Sequence, residues 1–590
     1  MSRKDAEHGV SGAEAVVAVL ESFGIEICFG MCGHTNLWML DAIQKSKIRF
    51  VGVRHEQVAA HAADGYFRAT RKPAAVLTTI GPGLTNALTG FGDALLDGSA
   101  VVAIVGDAPN YFHGREAFQE LSEHAEADQI SIVRPLVKRA WRVSHRATLV
   151  PNAIEACNVA LSGNPGPTVL SVPLNFFSEF RDETLTNLVN RRPTSYRSAA
   201  PEEQLILAFD LLSKGQRPLI LAGGGAVNSQ CQSEITELAE LLKIPVITTL
   251  SGQGSIRKDH NLYGGFISTV GTPQAHRLIN SCDVLLVLGS RLGEMETSSF
   301  DSAISINTSE TKIIQVDIDP RQIGRQYPVA VGVVSDVKLL ISEFLKLAKK
   351  VSSSNRSVPA NWSSEIEVER KEWQKEIKDS SNWDGIPISV ERMLSDIREV
   401  LPKEGIFLTD VGIRHIVAQQ FDVYSSQTHY LASGWGTMGG AVAAALGAKV
   451  GCPDVPVISE VGDGAFSSVI SSVITAVEND IAVVWVVMNN FGFSSISVYQ
   501  AKHGLGNLGT SFKTATGKPY NPDFAALAIA CGACGETVTN PSELKPALLR
   551  AIASGRPYVL DVHTDPAPKF RATGKWDVND LLAGITSKNI

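Results

Sequence analysis

Short runs of aliphatic and β-branched residues alternate with longer stretches of helical apolar periodicity along most of the chain. This alternation predicts parallel sheets with helices on both faces. In the first third the predicted strands are 25–29, 50–53, 75–79, 101–105 and 168–172. A polar stretch at 191–201 then reads as a linker. A second unit opens with a strand at 218–222, continues through 246–249, 284–288 and 313–316, and closes near Lys349. The Ser-rich segment 351–357 is a second linker, followed by a charged helix around 365–378. A third unit starts near Ile388, with strands at 406–409, 455–460, 482–488 and 558–562. The pattern therefore predicts an α/β chain of three doubly wound domains, at 1–190, 200–350 and 380–566, with 567–590 as a tail or lid.

Length and charge narrow the class. A chain of 590 residues is too long for one hydrophobic core. With 44% hydrophobic and 19% charged residues and a net charge of −8, it has no basic field for nucleic acid. No apolar run reaches the roughly 20 residues needed to span a bilayer, so no membrane partner is expected. The opening Met1-Ser-Arg-Lys-Asp-Ala-Glu-His8 lacks the apolar stretch of a signal peptide, and a cytoplasmic location is expected. The eight cysteines are scattered. Cys531 and Cys534 have redox or zinc spacing, but no second pair accompanies them, and they read as a buried structural pair.

Chemistry enters with the third unit. The strand 455–460 leads into the turn Val461-Gly-Asp-Gly464, and a helix opens at Ala465. In open α/β sheets ligands bind at such carboxyl ends of strands. Gly462 and Gly464 would let backbone approach an anion, and Asp463 would be a magnesium ligand. The next apolar strand ends at Asn489-Asn490, which would set Asn490 beside Asp463 at the same sheet edge. Either motif alone is an ordinary turn; their spacing and strand–turn–helix context together point to a metal–diphosphate site. In the first unit, Glu56 follows the strand-like run that starts at Phe50 and is expected to end a buried strand. The run Gly81-Pro-Gly-Leu-Thr-Asn86 lies downstream.

These motifs resemble those of thiamine-diphosphate enzymes, and over nearly the whole chain the resemblance is to the acetolactate synthase-like branch. It is carried by Phe29-Gly30, Arg54-His-Glu56, Ala62-Ala-Asp-Gly-Tyr66, Gly81-Pro-Gly83, Thr85-Asn86 and Gly114-Arg-Glu-Ala-Phe-Gln119. It continues in Gly223-Gly-Gly225, Val316-Asp-Ile-Asp319, Ser433-Gly-Trp-Gly-Thr-Met438 and the metal motif. The resemblance implies thiamine diphosphate and Mg2+ as cofactors, with the Gly492 carbonyl as a further metal ligand. It implies that Glu56 is the carboxylic acid that hydrogen-bonds the aminopyrimidine ring. Gly436 would offer a carbonyl to that ring, and Met438 would be the apolar wedge that bends the cofactor. Gly412 and Arg414 match a stretch that contacts the diphosphate, although the family's Gln-His is Ile413-Arg414 here. Gly81, Asn86 and Ala465 fall in matched stretches of the cofactor site. A site shared between the first domain of one subunit and the third of another implies a homodimer at least, and a homotetramer by analogy.

Where acetolactate synthases carry Pro-Gly-Gly-Ala, this chain has Cys32-Gly-His-Thr35. The resemblance sets His34 beside the reacting carbons, Thr35 in the substrate pocket, and Phe118 and Gln119 in the acceptor pocket. Tyr499 replaces the tryptophan that shapes that pocket, and 500–518 reads as a mobile cover. The implied activity is decarboxylation and carboligation of 2-oxo acids, with oxo acids or aldehydes as substrates. A 2-hydroxyacyl-CoA lyase or oxalyl-CoA-type decarboxylase is an alternative, and a flavin-linked 2-oxo acid oxidase is another. FAD in the central domain is suggested by Arg291, at a flavin-contacting position, and by Gly223–Gly225.

Overall fold

The computed structural model describes residues 10–121, 128–178, 197–351, 361–425, 429–431, 434–565 and 574–576. Residues 191–196 and 352–357 of the expected linkers, Ser433, and all of the expected tail except Gly574, Lys575 and Trp576 lie outside them. Three sheets of six strands organise the chain. The first contains β1 (Ile27–Gly30), β2 (Arg49–Gly52), β3 (Ala74–Thr78), β4 (Val101–Asp107), β5 (Arg139–Arg142) and β6 (Thr168–Pro173), in the order β2-β1-β3-β4-β6-β5. The second contains β7 (Pro218–Ala222), β8 (Val246–Thr248), β9 (Tyr263–Phe266), β10 (Val284–Leu288), β11 (Lys312–Asp317) and β12 (Val331–Val334), ordered β12-β11-β10-β7-β8-β9. The third contains β13 (Ile406–Thr409), β14 (His429–Leu431), β15 (Val457–Gly462), β16 (Val483–Asn489), β17 (Cys534–Val538) and β18 (Tyr558–His563), ordered β14-β13-β15-β16-β18-β17. The pairings are parallel, as β-helix-β alternation requires.

The central strands are continuous apolar runs because helices cover both of their faces. Five strands absent from the apolar pattern, β5, β9, β12, β14 and β17, all lie at sheet edges. Their sequences explain it: Arg-Ala-Trp-Arg in β5 and Cys-Gly-Glu-Thr-Val in β17 carry charge or glycine and leave part of each strand exposed.

Two placements correct the sequence reading. Strand β2 ends at Gly52, and Glu56 is the first residue of helix α1 (Glu56–Thr70), whose N-cap is His55. Its carboxylate is nevertheless only 2% exposed. Cys531 and Cys534 are half-buried free thiols rather than a buried pair.

The first and third domains share one core, in which Val58, Ala62 and Phe91 pack with Ala441, Ala444 and Leu446. Helix α1 lies against α4 (Gly440–Gly451), the helix that follows the Gly436–Met438 loop. Their approach depends on glycine. A Cβ on Gly65 would strike the carbonyl of Ala444, and one on Gly447 would strike the carbonyl of Ala62. Backbone sits directly on backbone there, so no rotamer change could relieve a larger residue.

Candidate active site

Strands β15 and β16 run in register, Gly462 beside Met488, so both end at the same edge of the third sheet. Asp463 opens the short helix α5 (Asp463–Ser468) immediately after β15. Its Oδ1 accepts the Gly464 N–H at 2.7 Å. Its Oδ2 accepts the N–H of Asn490 at 3.1 Å, that of Gly492 at 3.3 Å and the Asn521 side-chain amide at 2.7 Å. Burial raises the pKa of Asp463, and these four donors oppose that shift. The carboxylate is thus fixed in direction by β16 and by the Asn521 segment.

Asn490 supplies the sharper observation. Its side-chain Oδ1 is buried and has no hydrogen-bond partner. A buried unpaired acceptor costs about 1–3 kcal/mol unless something binds it. A hard cation takes such an oxygen together with a neighbouring carboxylate. The backbone around it is strained, with Phe491 at φ +60°. Gly492 follows, closely packed against Thr510, and its carbonyl already accepts the Ser494 N–H at 3.0 Å, leaving one lone pair. Gly412 and Gly462 have open space where a Cβ would stand, as a site that admits a bulky anion against backbone needs. Gly464 does not: the Phe493 ring occupies that position, so its glycine serves packing. Ala465 is buried beside it. The residues present therefore fit a divalent cation and a diphosphate.

Around this edge, Asp410 at the end of β13 accepts N–H bonds from Val411 and Ala441, at 2.9 and 3.2 Å. Burial pushes its carboxyl up to about 6. It ties β13 to the start of α4 and so fixes the loop between them. In that loop Gly436 adopts φ +73°, with the Arg414 guanidinium packed on its open side. Arg414 begins α3 (Arg414–Gln420), and burial lowers its pKa. Met438 is 44% exposed, unusual for an apolar side chain so near a core.

A second cluster belongs to the first domain. Glu56 Oε2 accepts the Asn86 side-chain amide at 3.0 Å, and Gly83 leaves room against Oε1. Asn86 lies on α2 (Pro82–Asp97), which starts after Gly81 at φ +63°. Gly81 in turn abuts the backbone of Gln119, which also has positive φ, at +66°. The Gln119 Oε1 is buried and unpartnered, a second orphaned acceptor. His34 is exposed, and its ring packs on Phe118 at 5.2 Å between centroids. Phe118 is itself 75% exposed. Thr35, expected in the substrate pocket, is fully buried: its hydroxyl meets Thr79 Oγ1 at 2.8 Å and accepts the Ile80 N–H at 3.2 Å. It anchors the loop that bears His34 and does not line a pocket. Tyr499 is half-buried and packs edge-on against Trp576 at 5.5 Å, so Trp576 reaches this region. Within one chain and among the described residues, no hydrogen bond or ion pair joins the Glu56 cluster to the Asp463 cluster.

Three residues went unnoticed in the sequence. Asn521 precedes a proline in a polar loop, and nothing in the pattern marks it. His61 and Asp93 carry no signal in the sequence, yet both are fully buried between α1, α2 and α4, with His61 Nδ1 at 3.5 Å from Asp93 Oδ2. Burial pushes Asp93 up to about 8 and His61 down to about 4. Asp93 is therefore protonated in the folded state at pH 7 and ionised in the unfolded one. Its contribution to stability is complete below its unfolded pKa and is lost as pH rises through about 8. Neutral His61 works in the opposite direction below about pH 6.5, so the net loss falls between about pH 6.5 and 8. Asp93→Asn should flatten the decline of thermal midpoint across that window; an unchanged slope would show that another group sets it.

In the central domain, the turn at Gly223–Gly225 packs on Gly289, with the Gly225 N–H donating to the Gly289 carbonyl at 2.9 Å. Strand-end packing thus accounts for these glycines without a nucleotide. Arg291 is exposed and donates to the Leu96 carbonyl at 3.0 Å.

These sites lie where three family models match the chain. The N-terminal TPP binding domain of thiamine pyrophosphate enzymes covers residues 10–131, the central domain 206–344 and the C-terminal TPP binding domain 410–562. The chain belongs to the thiamine pyrophosphate enzyme family. It is 32% identical to a "Probable acetolactate synthase large subunit" of Methanocaldococcus jannaschii, over 95% of this chain and 92% of that protein. A protein with the same description from Methanococcus aeolicus matches at 32% with the same coverage. The acetolactate synthase large subunit of Cyanidium caldarium is 31% identical, over 93% of this chain and 92% of its own length. Among the described residues, no helix is long and apolar enough to cross a membrane.

Proposed function

We propose that the protein is a thiamine-diphosphate- and Mg2+-dependent carboligase that decarboxylates a 2-oxo acid and joins the remaining fragment to a second oxo acid or an aldehyde. The observation that carries this reading is the likeness to acetolactate synthase large subunits along 95% of the chain. The acyl-CoA lyase and flavin-oxidase alternatives draw no support from these relatives.

When bound, thiamine diphosphate supplies a carbon nucleophile and a temporary store for the electron pair released with carbon dioxide. The chain's own residues do the rest. Asp463 and Asn490 Oδ1, with the Gly492 carbonyl, hold the cation that neutralises the diphosphate. Arg414 adds a fixed positive charge near it, and Gly412 and Gly462 leave the space. Gly436 and Met438 receive the ring portion of the cofactor. Glu56, almost wholly buried and oriented by Asn86, is the carboxyl group placed for proton exchange with the ring nitrogen. The unpartnered Gln119 Oε1 and the exposed His34–Phe118 pair face the substrate, where His34 can exchange a proton with a developing alkoxide. By resemblance to enzymes whose cofactor lies between the first domain of one subunit and the third of another, the reading includes at least a homodimer, with a homotetramer as its doubled form. It also includes a cytoplasmic location. FAD is not part of this reading, since packing on Gly289 explains Gly223–Gly225.

Incubation of the purified protein with thiamine diphosphate, Mg2+ and pyruvate tests this, with products identified by mass spectrometry. The expected result is a five-carbon hydroxy-oxo acid and one carbon dioxide for each pair of pyruvates. Release of acetaldehyde alone, or no turnover of any oxo acid offered singly or with aldehydes, would overturn the carboligase assignment.

A further inference from the structure

We propose that Lys258 of the central domain is a positioning residue that holds α3, and with it Arg414, in place for the cofactor's diphosphate. This inference rests on the function proposed above.

The Lys258 ammonium crosses from the central domain to the third domain and donates to two backbone carbonyls, Ala418 at 2.6 Å and Phe421 at 2.7 Å. Both lie at the C-terminal end of α3, where carbonyls lack helical partners and a positive charge is favourable. The central domain grips the same end twice more. The Gln419 side chain donates to the Val270 carbonyl at 3.0 Å, and Leu250 and Phe266 pack on Ala418. Arg414 begins the other end of this helix, seven residues and about 10 Å away. There it lies against Gly436, and the Ser495 hydroxyl donates to the carbonyl of Gly412. A short rigid helix therefore connects a central-domain lysine to the residues assigned to the diphosphate.

Lys258 is not explained as half of an ion pair, because its hydrogen bonds go to carbonyls. Asp422 attracts it through space, and the remaining neighbours do not. His429 is held neutral by desolvation, down to about 3, and Arg398 sits over the Phe421 ring at 4.8 Å. Burial pushes the ammonium itself down to about 8. A lysine that only needed to be accommodated would extend into water. This one is half-buried, with its ammonium committed to one helix end. Arginine at the same position keeps the charge and can reach both carbonyls, whereas methionine keeps the length and loses both bonds.

The test measures thiamine diphosphate affinity in the presence of Mg2+, by quenching of intrinsic tryptophan fluorescence, for the wild type, K258M and K258R. Thermal midpoints of the cofactor-free proteins are recorded in parallel. The expected result is affinity roughly tenfold weaker in K258M and restored for the most part in K258R, with cofactor-free midpoints close to wild type. Wild-type affinity in K258M would overturn the assignment, as would equal losses in both variants that follow a lowered midpoint. A wild-type protein that binds no thiamine diphosphate would instead overturn the proposed function on which the assignment stands.

Discussion

Replacing Glu56 by glutamine is expected to leave thiamine diphosphate bound while slowing turnover by about 100- to 10,000-fold, the range typical of losing a positioned acid–base group. The reason is local. Glu56 is the first residue of α1, 2% exposed, and its Oε2 is already oriented by the Asn86 amide. Glutamine keeps the size and one hydrogen-bonding oxygen for Asn86 but has no acidic proton to hold at the ring nitrogen. The fold should therefore tolerate it, and the defect should be one of rate. Hydrogen–deuterium exchange at C2 of the bound cofactor, followed by NMR after acid quench, isolates that step from substrate binding. Exchange at the wild-type rate would remove Glu56 from the mechanism. Loss of cofactor binding in the variant would make it a structural residue instead.

Asp463→Ala should have the other large effect, on binding. The carboxylate gathers four donors, from Gly464, Asn490, Gly492 and Asn521, and with Asn490 Oδ1 offers the two side-chain oxygens for a cation. Removing a mere outer-shell partner of a metal site costs about 10- to 100-fold in affinity, so loss of the ligand itself should exceed about 100-fold. Added thiamine diphosphate and Mg2+ should raise the wild-type thermal midpoint and leave that of the variant unmoved at the same concentrations. A variant stabilised as strongly as the wild type would place the metal elsewhere.

Most of this architecture was legible in the amino-acid pattern because buried parallel strands advertise themselves as unbroken apolar runs. Five of the six edge strands did not; β5 and β17, for example, carry arginine, glutamate and glycine on backbones that pair on one side only. The Gly-Asp-Gly and Asn-Asn motifs could be joined because their strands were visible and consecutive in chain order. Asn521 could not be found that way. It meets Asp463 through a loop whose path depends on tertiary folding. The same holds for His61 and Asp93, which become a buried pair only when α1, α2 and α4 close on one another. Thr35 shows the opposite error: a resemblance gave it a place in the pocket, and the backbone turned its hydroxyl inward to Thr79.

The bare backbone contacts of Gly65 with Ala444 and of Gly447 with Ala62 have a further meaning for how the molecule works. Within one chain, two lobes welded at that distance move as a single body. Admission of one oxo acid after another, and escape of the joined product, would then depend on motion between subunits or of surface segments such as the one bearing the 93%-exposed Leu508. Turnover that is limited by such gating would respond to solvent viscosity and to trimming of that segment, while the lobes stay still.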